Sequence, residues 1–187
     1  MANIIVISGS PTASSRLHGL IQYSEAQLKQ QGHEVVHLQV AELPAEDLIK
    51  ANFASSAVIE AVAKVERADA VIIASPVYKA SYTGVLKTFL DLIPQKGFQG
   101  KLIVPLFIGG TIAHLLSIDY ALKPVANALG ATNILSGVYA IDQWVEKAEG
   151  GGFNLSDELK SRLDGTIAQL AEELKWQTLR QGTPAIR

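Results

Sequence analysis

The loop at residues 9–16 contains the residues of this chain that are best suited to bind an anion. Its sequence, GSPTASSR, combines four hydroxyl side chains with one arginine. The loop follows a short apolar run and precedes a helical pattern, so its N–H groups and the helix N-terminus would face one ligand. Hydrogen bonds from Ser10, Ser15 and Arg16 to a phosphate would contribute about 1.5–3 kcal/mol each. These residues predict a phosphate-binding loop; the alternative is a serine that only caps the helix, beside a solvated arginine.

A second loop, residues 76–84, has the composition of a wall for a planar ring. Its sequence, PVYKASYTG, consists mainly of small residues around two tyrosines. A bound ring needs flat apolar or backbone surfaces with few polar contacts. Pro76, Val77 and Tyr78 offer such a surface. The alternative is a surface loop with two exposed tyrosines.

A third loop, residues 109–114, follows another apolar run. Its paired glycines, including Gly110, allow a ligand to approach the backbone closely. Thr111 offers a hydroxyl group, and His114 is either a ligand contact or a structural residue at a helix start. The first loop lacks the GxGxxG and GxxxxGK[ST] patterns, which argues against a dinucleotide or nucleoside triphosphate there. Together the three loops predict a flat molecule that carries a monoester phosphate.

Five buried strand patterns alternate with helical patterns, which predicts a parallel sheet covered by helices on both faces. We expect an α/β fold, namely a flavodoxin-like three-layer sandwich with a five-stranded parallel sheet in the order 2-1-3-4-5. In this order the first, third and fourth strands are neighbours, so the three loops would meet in one cleft at the carboxyl edge of the sheet. The predicted strands are residues 4–7, 34–38, 70–74, 102–108 and 133–139.

Two prolines predict local irregularities. Pro105 lies inside the fourth strand, where it removes one hydrogen-bond donor from the ladder. Pro124 lies inside a predicted helix at residues 112–129, where its missing N–H would free the carbonyl of Tyr120. A freed carbonyl favours a kink or a π-bulge, and such bulges cluster at functional sites.

The remainder of the chain predicts a single domain at residues 1–176, followed by a loose C-terminal tail at residues 177–187. Within the domain, the third strand is expected to end at residues 75–76, the Ser-Pro pair. Residues 142–152 are polar and glycine-rich, which predicts a loop. A long amphipathic helix is expected at residues 155–176.

The composition excludes several classes of protein. Hydrophobic residues make up 48% and charged residues 18% of the chain, which predicts a folded core. The net charge of −2 gives no support for binding to nucleic acid or to an anionic membrane. Without cysteine, signal-peptide pattern or a long apolar run, we expect a cytoplasmic protein. We predict no metal site, because the four histidines lack metal-ligand spacing: His18, His33, His37 and His114.

Three segments resemble a known family: GSPTASSR, SPVYKASYTGVLKTFLD and IGGTIAHLLSIDYALKPV. They resemble the NAD(P)H-dependent FMN reductases of flavodoxin-like fold, and are most similar to the alkanesulfonate-type FMN reductase of two-component monooxygenase systems. Thr12 departs from the family pattern, since many members carry arginine there. The resemblance implies phosphate contacts at Ser10, Ser15 and Arg16, ring contacts at Pro76, Val77, Tyr78 and Ser81, and contacts on the far side of the ring at Gly110, Thr111 and His114.

The resemblance also implies an activity. NADPH or NADH would transfer a hydride to N5 of FMN, and the reduced flavin would pass to a partner flavin-dependent monooxygenase. Since the flavin performs the chemistry, no catalytic side chain is predicted. The resemblance further implies a homotetramer whose interface includes a π-helix with Tyr120, a residue that would influence flavin transfer.

Two other functions remain open on the sequence. One is a reductase that keeps FMN bound and reduces quinones, azo dyes or metal ions. The other is a flavodoxin-type electron carrier without nicotinamide activity, although a net charge of −2 is low for such a carrier.

Overall fold

The computed structural model describes residues 1–182, with side chains up to residue 179. It confirms the predicted α/β, flavodoxin-like fold. The parallel strands run in the order β2-β1-β3-β5-β6, and β7 continues the edge beside β5. Because β4 is only the short return of a hairpin, this is the predicted order 2-1-3-4-5. The strands are β1 (Asn3–Ser8), β2 (Glu34–Gln39), β3 (Ala70–Tyr78), β4 (Ser81–Tyr82), β5 (Leu102–Gly109), β6 (Asn133–Ile134) and β7 (Val138–Ile141).

Helices cover both faces of the sheet, because alternate strand residues point to opposite sides. Ile5 and Ile7 pack with helices α2 to α5, whereas Ile4 and Val6 pack with α1 and α6. Each fully buried side chain of this kind contributes about 1.5–3 kcal/mol. The helices are α1 (Leu17–Gln30), α2 (Ala45–Ile49), α3 (Ser56–Glu66), α4 (Gly84–Leu90), α5 (Lys123–Ala128) and α6 (Asp157–Gly182).

The third strand does not end at residues 75–76, so that prediction is wrong. Strand β3 continues to Tyr78 and turns back into β4 through Lys79 and Ala80, whose φ angles are 52° and 62°. A two-residue hairpin requires such angles, and Asn-Gly is their usual sequence signal. Lys-Ala lacks that signal. Pro76 remains in the parallel ladder opposite Ile108.

The irregularity expected at Pro105 is present. The edge strand beside β5 is interrupted and forms two short strands, β6 and β7. Gly137 lies between them and has a φ of +69°. A Cβ atom on Gly137 would lie 2.2 Å from the carbonyl oxygen of Pro105. The backbone on this side of Pro105 therefore accommodates the missing ladder donor with a break in the neighbouring strand.

Residues 112–129 do not form one helix. They form a 3₁₀-helix (Ile112–His114), a π-helix (Ile118–Leu122) and then α5. Pro124 lies in the first turn of α5, where its missing N–H is tolerated. The expected π-helical backbone around Tyr120 is therefore present, directly before the proline.

Two predictions for the C-terminal third are wrong. Residues 142–152 are not only a loop, because β8 (Val145–Lys147) and β9 (Phe153–Leu155) form an antiparallel hairpin. Helix α6 reaches Gly182, so residues 177–182 are helical rather than a loose tail. Residues 183–187 lie outside the described residues. Within residues 1–182, no helix is both long and apolar enough to cross a membrane.

Candidate functional site

A cleft of about 220 Å³ lies at the carboxyl edge of the sheet, where the three predicted loops meet. Six of the ten predicted site residues line it: Ser15, Arg16, Pro76, Val77, Tyr78 and Gly110. Ser10, Ser81, Thr111 and His114 do not line it. The structure adds residues that the sequence did not single out as ligand contacts: Thr12, Ser14, Ile108, Gly109, Asp142 and Lys147.

Ser10 shapes the first loop from inside. Its side chain is fully buried, and its Oγ donates a hydrogen bond of 2.8 Å to the carbonyl oxygen of Thr12. Gln39 Nε2 donates to the carbonyl oxygen of Ser10 at 2.6 Å. The hydroxyl group of Ser10 is thus used within the loop and holds Thr12 at the edge of the cleft.

The far end of the first loop presents hydrogen-bond donors. Arg16 Nε donates to the carbonyl oxygen of Val145 at 2.8 Å, and no carboxylate of the described residues pairs with its guanidinium group. The backbone N–H groups of Ala13, Ser14 and Arg16 have no acceptor in the described chain. Helix α1 begins at Leu17 without an acidic residue in its first turn. Such a set of donors suits an anion.

The simpler interpretation of the first loop is a serine that only caps the helix, beside a solvated arginine. The structure agrees with it only in part. Ser15 Oγ accepts a hydrogen bond from the N–H of Leu17 at 3.3 Å, so this serine does act at the start of α1. Arg16 is not a free solvated charge, because its Nε is held by strand β8. Arg16 also lines the cleft, and its terminal nitrogens have no acceptor among the described residues.

Thr83 joins the first loop to the second, a role that the sequence did not reveal. Its buried Oγ1 donates to the carbonyl oxygen of Gly9 at 2.6 Å and accepts from the N–H of Leu86 at 3.1 Å. Its own N–H donates to Ser75 Oγ at 3.0 Å. A threonine before a helical pattern is a recognised capping signal, so this residue could have been noticed from the sequence.

The second and third loops supply the backbone surfaces of the cleft. Pro76 is buried, Val77 is half-buried and Tyr78 is 54% exposed. On the neighbouring strand β5, a Cβ atom at Gly109 would lie 2.4 Å from Tyr139 Oη and 3.4 Å from Val77 Cβ, so a side chain there would crowd both residues. Because Pro76 pairs with Ile108 in the parallel ladder, the ends of β3 and β5 form one continuous surface with little side-chain bulk, against which a flat ring can lie.

Tyr139 fixes the third loop. Its hydroxyl group donates to the carbonyl oxygen of Thr111 at 2.8 Å. Burial raises the pKa of the Tyr139 phenol, and the negative charge of Asp142 adds to the effect, so the group remains a neutral donor. Thr111 Oγ1 accepts from the N–H of Ala113 at 3.3 Å and caps the 3₁₀-helix instead of facing the cleft.

Most of the chain matches a known family. A family model described as NADPH-dependent FMN reductase matches residues 2–146. The FMN reductase (NADPH) of Escherichia coli (strain K12) is 42% identical over 177 residues, which cover 94% of this chain and 89% of that protein. The chain belongs to the NADPH-dependent FMN reductase family. It is therefore an oxidoreductase whose reactants are FMN and NAD(P)H, as the resemblance implied.

Other family members extend the comparison. The FMN reductase (NADPH) of Pseudomonas putida KT2440 is 46% identical over 147 residues, which cover 79% of this chain and 75% of that protein. The apo form of EMOB, an NADH:FMN oxidoreductase, superposes with a TM-score of 0.83 at 32% identity and covers 92% of this chain. The superposed residues make up 90% of the EMOB chain.

The residues of the cleft fit the FMN of this reductase family. The donors at residues 13–16 suit a phosphate group, and the backbone surface that Pro76 and Gly109 form at the ends of β3 and β5 suits a planar ring. Lys147 was missed because residues 142–152 gave no signal for the hairpin that brings it to the cleft, and Asp142 was missed although it directly follows β7 at the same edge of the sheet.

Proposed function

We propose that this enzyme binds FMN as an exchangeable substrate in the cleft, reduces it with NAD(P)H in the cytoplasm, and supplies the reduced flavin to a partner flavin-dependent monooxygenase of the alkanesulfonate type. The observation that carries this proposal is the form of the cleft. It is an open cleft whose donors belong to the first loop, whereas Tyr78 on the β3–β4 side is 54% exposed. A ligand held in this way is retained mainly through its phosphate and can leave after reduction.

Each wall of the cleft has a separate role in this proposal. Ser14, Ser15, Arg16 and the free N–H groups at the start of α1 hold the phosphate. The adjacent ends of β3 and β5 contact the ring along one border, through Pro76, Val77, Tyr78, Gly109 and Gly110. The bound flavin supplies the chemistry of hydride acceptance. The protein orients the ring and leaves one face open for the nicotinamide.

Four predicted residues do not contact the ligand in this proposal. Ser10 and Thr111 hold the loops through their hydrogen bonds rather than by contact with the ligand. Ser81 pairs with Tyr78 in the β3–β4 hairpin and thereby positions the tyrosine. His114 is exposed outside the cleft, at the end of the 3₁₀-helix.

The steady-state kinetics of NADPH oxidation tests this proposal. We expect oxidation by the flavin-free enzyme to depend on added FMN and to saturate with FMN as a second substrate. A protein that keeps yellow FMN bound through turnover and reduces quinones, azo dyes or metal ions would contradict it. A complete lack of NADPH and NADH oxidation would instead indicate a flavodoxin-type carrier.

The supply role needs a second experiment. The enzyme is mixed with a flavin-dependent alkanesulfonate monooxygenase, and sulfite release is measured with catalytic FMN. We expect sulfite release to require both proteins and NADPH. Two relatives from Pseudomonas putida, SfnF and SfnE, are NADH-dependent FMN reductases at 33% and 30% identity, so NADH is compared as the donor.

We also propose that the enzyme forms a homotetramer through residues 112–120, which we call the apolar segment. Ile112, Leu116 and Tyr120 are 48%, 50% and 79% exposed on one stretch of chain beside the third loop. An exposed patch of this kind is typical of an association surface. Light scattering of the purified protein tests the tetramer, and a monomer at micromolar concentration would contradict it.

A further inference from the structure

We propose that Lys147 is a second cationic ligand of the FMN phosphate and acts together with Arg16. This inference rests on the proposed function, because it assumes that the phosphate lies at the first loop. Lys147 lines the same cleft as Thr12, Ser14 and Arg16, although it lies 131 positions after Arg16 in the sequence. Only the unexpected β8–β9 hairpin brings it there.

Two contacts hold this hairpin against the first loop. Arg16 Nε donates to the carbonyl oxygen of Val145, two residues before Lys147 on β8. Below it, a Cβ atom on Gly19 would lie 2.9 Å from both Val145 Cγ1 and Phe153 Cβ, so helix α1 and the hairpin pack with no space between them. The position of β8 relative to the phosphate loop is therefore fixed by the Arg16 hydrogen bond and by close packing of the hairpin side chains against Gly19.

The strand geometry directs Lys147 toward the site. Side chains two apart on a strand share a face, so Lys147 lies on the same face as Val145 and Glu146 on the other. Val145 is buried against the core, whereas Lys147 reaches past it to the rim of the cleft. No carboxylate within the described part of the chain pairs with Lys147.

The charges of the cleft show why a second cation is needed. A phosphate monoester carries a charge close to −2 at neutral pH. The first loop contributes one cation, Arg16, and Thr12 is neutral. The other residues with acidic or basic side chains at the cleft are Asp142 and Lys147. Without Lys147, the cleft would bring no net positive charge to a dianion.

Affinity for FMN and for riboflavin separates this role from a structural one, because riboflavin lacks the phosphate. The Kd of each flavin is measured by fluorescence quenching for the wild type and for Lys147→Gln, Lys147→Arg and Lys96→Gln. We expect Lys147→Gln to weaken FMN binding about ten-fold, to leave riboflavin binding unchanged and to reduce the dependence of the FMN Kd on NaCl concentration.

The variants give distinct outcomes. Lys147→Arg retains the charge and should bind FMN within about three-fold of the wild type. Lys96→Gln removes an exposed lysine far from the cleft and should change neither Kd. Equal FMN affinity in the wild type and Lys147→Gln would overturn the inference while leaving the proposed function intact. The proposed function itself fails if the wild type binds FMN no more tightly than riboflavin.

The steady-state kinetics completes the test. The phosphate of NADPH is the other monoester that Lys147 could meet, so the KM values for NADPH and NADH are compared in Lys147→Gln. We expect their ratio to match that of the wild type. A rise in the KM for NADPH alone, with unchanged FMN affinity, would assign the lysine to the nicotinamide nucleotide and overturn the inference.

Discussion

Two regions that border the cleft are built in opposite ways. The first and second loops are joined by buried hydrogen bonds at Gly9 and Thr83, which we call the Gly9–Thr83 junction. The apolar segment, on the side of the third loop, leaves Leu116 and Tyr120 half or more exposed. The chain completes the junction by itself, whereas the apolar segment leaves a surface uncovered.

This contrast separates stability from assembly. Residues at the junction have buried partners, so their substitution should be felt mainly in the free energy of unfolding. The exposed side chains of the apolar segment, at Ile112, Leu116 and Tyr120, have few partners within the chain, so their substitution should be felt in association and flavin handling. Substitutions in each region test that division.

Gly9→Ala should damage the junction most. The new Cβ atom would lie 2.5 Å from Leu86 Cβ and 3.0 Å from Thr83 Oγ1, so helix α4 has to move. We expect the free energy of unfolding, measured in urea, to fall by about 3 kcal/mol. Gly84→Ala is the control, because no atom lies within 4 Å of a Cβ atom at that position. Equal losses in both variants would show that the junction is not tightly packed.

Thr83→Val should have the next largest effect. Valine keeps the shape of threonine but removes the donor to Gly9 and the acceptor for the N–H of Leu86. We expect a loss of about 2 kcal/mol in the free energy of unfolding, because buried polar groups lose their partners. Thr83→Ser keeps the hydroxyl group and should recover most of this stability. If Val and Ser are equally stable, the hydrogen bonds do not hold the loops together.

Tyr120→Ala tests the opposite region. Since the side chain is 79% exposed, we expect the free energy of unfolding to change by less than about 0.5 kcal/mol. Flavin retention, coupled monooxygenase activity and the tetramer fraction should nevertheless decrease. Ile59→Ala, at another exposed apolar residue, is the control for nonspecific loss of apolar surface. Unchanged association and flavin affinity in Tyr120→Ala would remove the functional role of the π-helix.

The same contrast shows what could be predicted from the sequence. Buried strands such as residues 4–7 and 70–74 were found because continuous β-branched runs have few other structures open to them. The π-helix at Tyr120 followed from Pro124, because a missing N–H has a local consequence. The order of the strands followed from the count of five alternating strands, for which the flavodoxin-like order is a common arrangement of a doubly wound sheet.

Other features depend on distant parts of the chain and could not be found in this way. The bond between Thr83 and Gly9 joins residues 74 apart. The β8–β9 hairpin is stabilised by packing against Gly19 on α1, and its glycine-rich turn has the composition of an ordinary loop. The continuation of α6 past Trp176 likewise contradicts a tail expected from its polar composition. Lys147 could therefore be assigned to the site from the folded structure but not from the sequence.

The smallest predicted difference between the two regions is their response to acid. His37 on β2 lies behind the first loop, with Nδ1 3.4 Å from Glu25 Oε1 and its ring centroid 6.1 Å from that of His18. His18 Nε2 in turn lies 3.2 Å from the carbonyl oxygen of Thr12. Burial lowers the pKa of His37; Glu25 and Glu42 oppose this effect, whereas His18 and Lys29 add to it.

A lowered pKa in the folded state means that the unfolded chain takes up the proton first as the pH falls. Stability from His37 is therefore complete above about pH 6.5 and decreases as the pH falls from there toward the lower pKa of the folded protein. We expect the urea midpoint to fall less between pH 7.5 and pH 5.5 in His37→Gln than in the wild type. Gly84→Ala changes no titratable group and should keep the wild-type slope. If His37→Gln keeps that slope too, the support behind the first loop does not sense pH, and the two regions differ in packing alone.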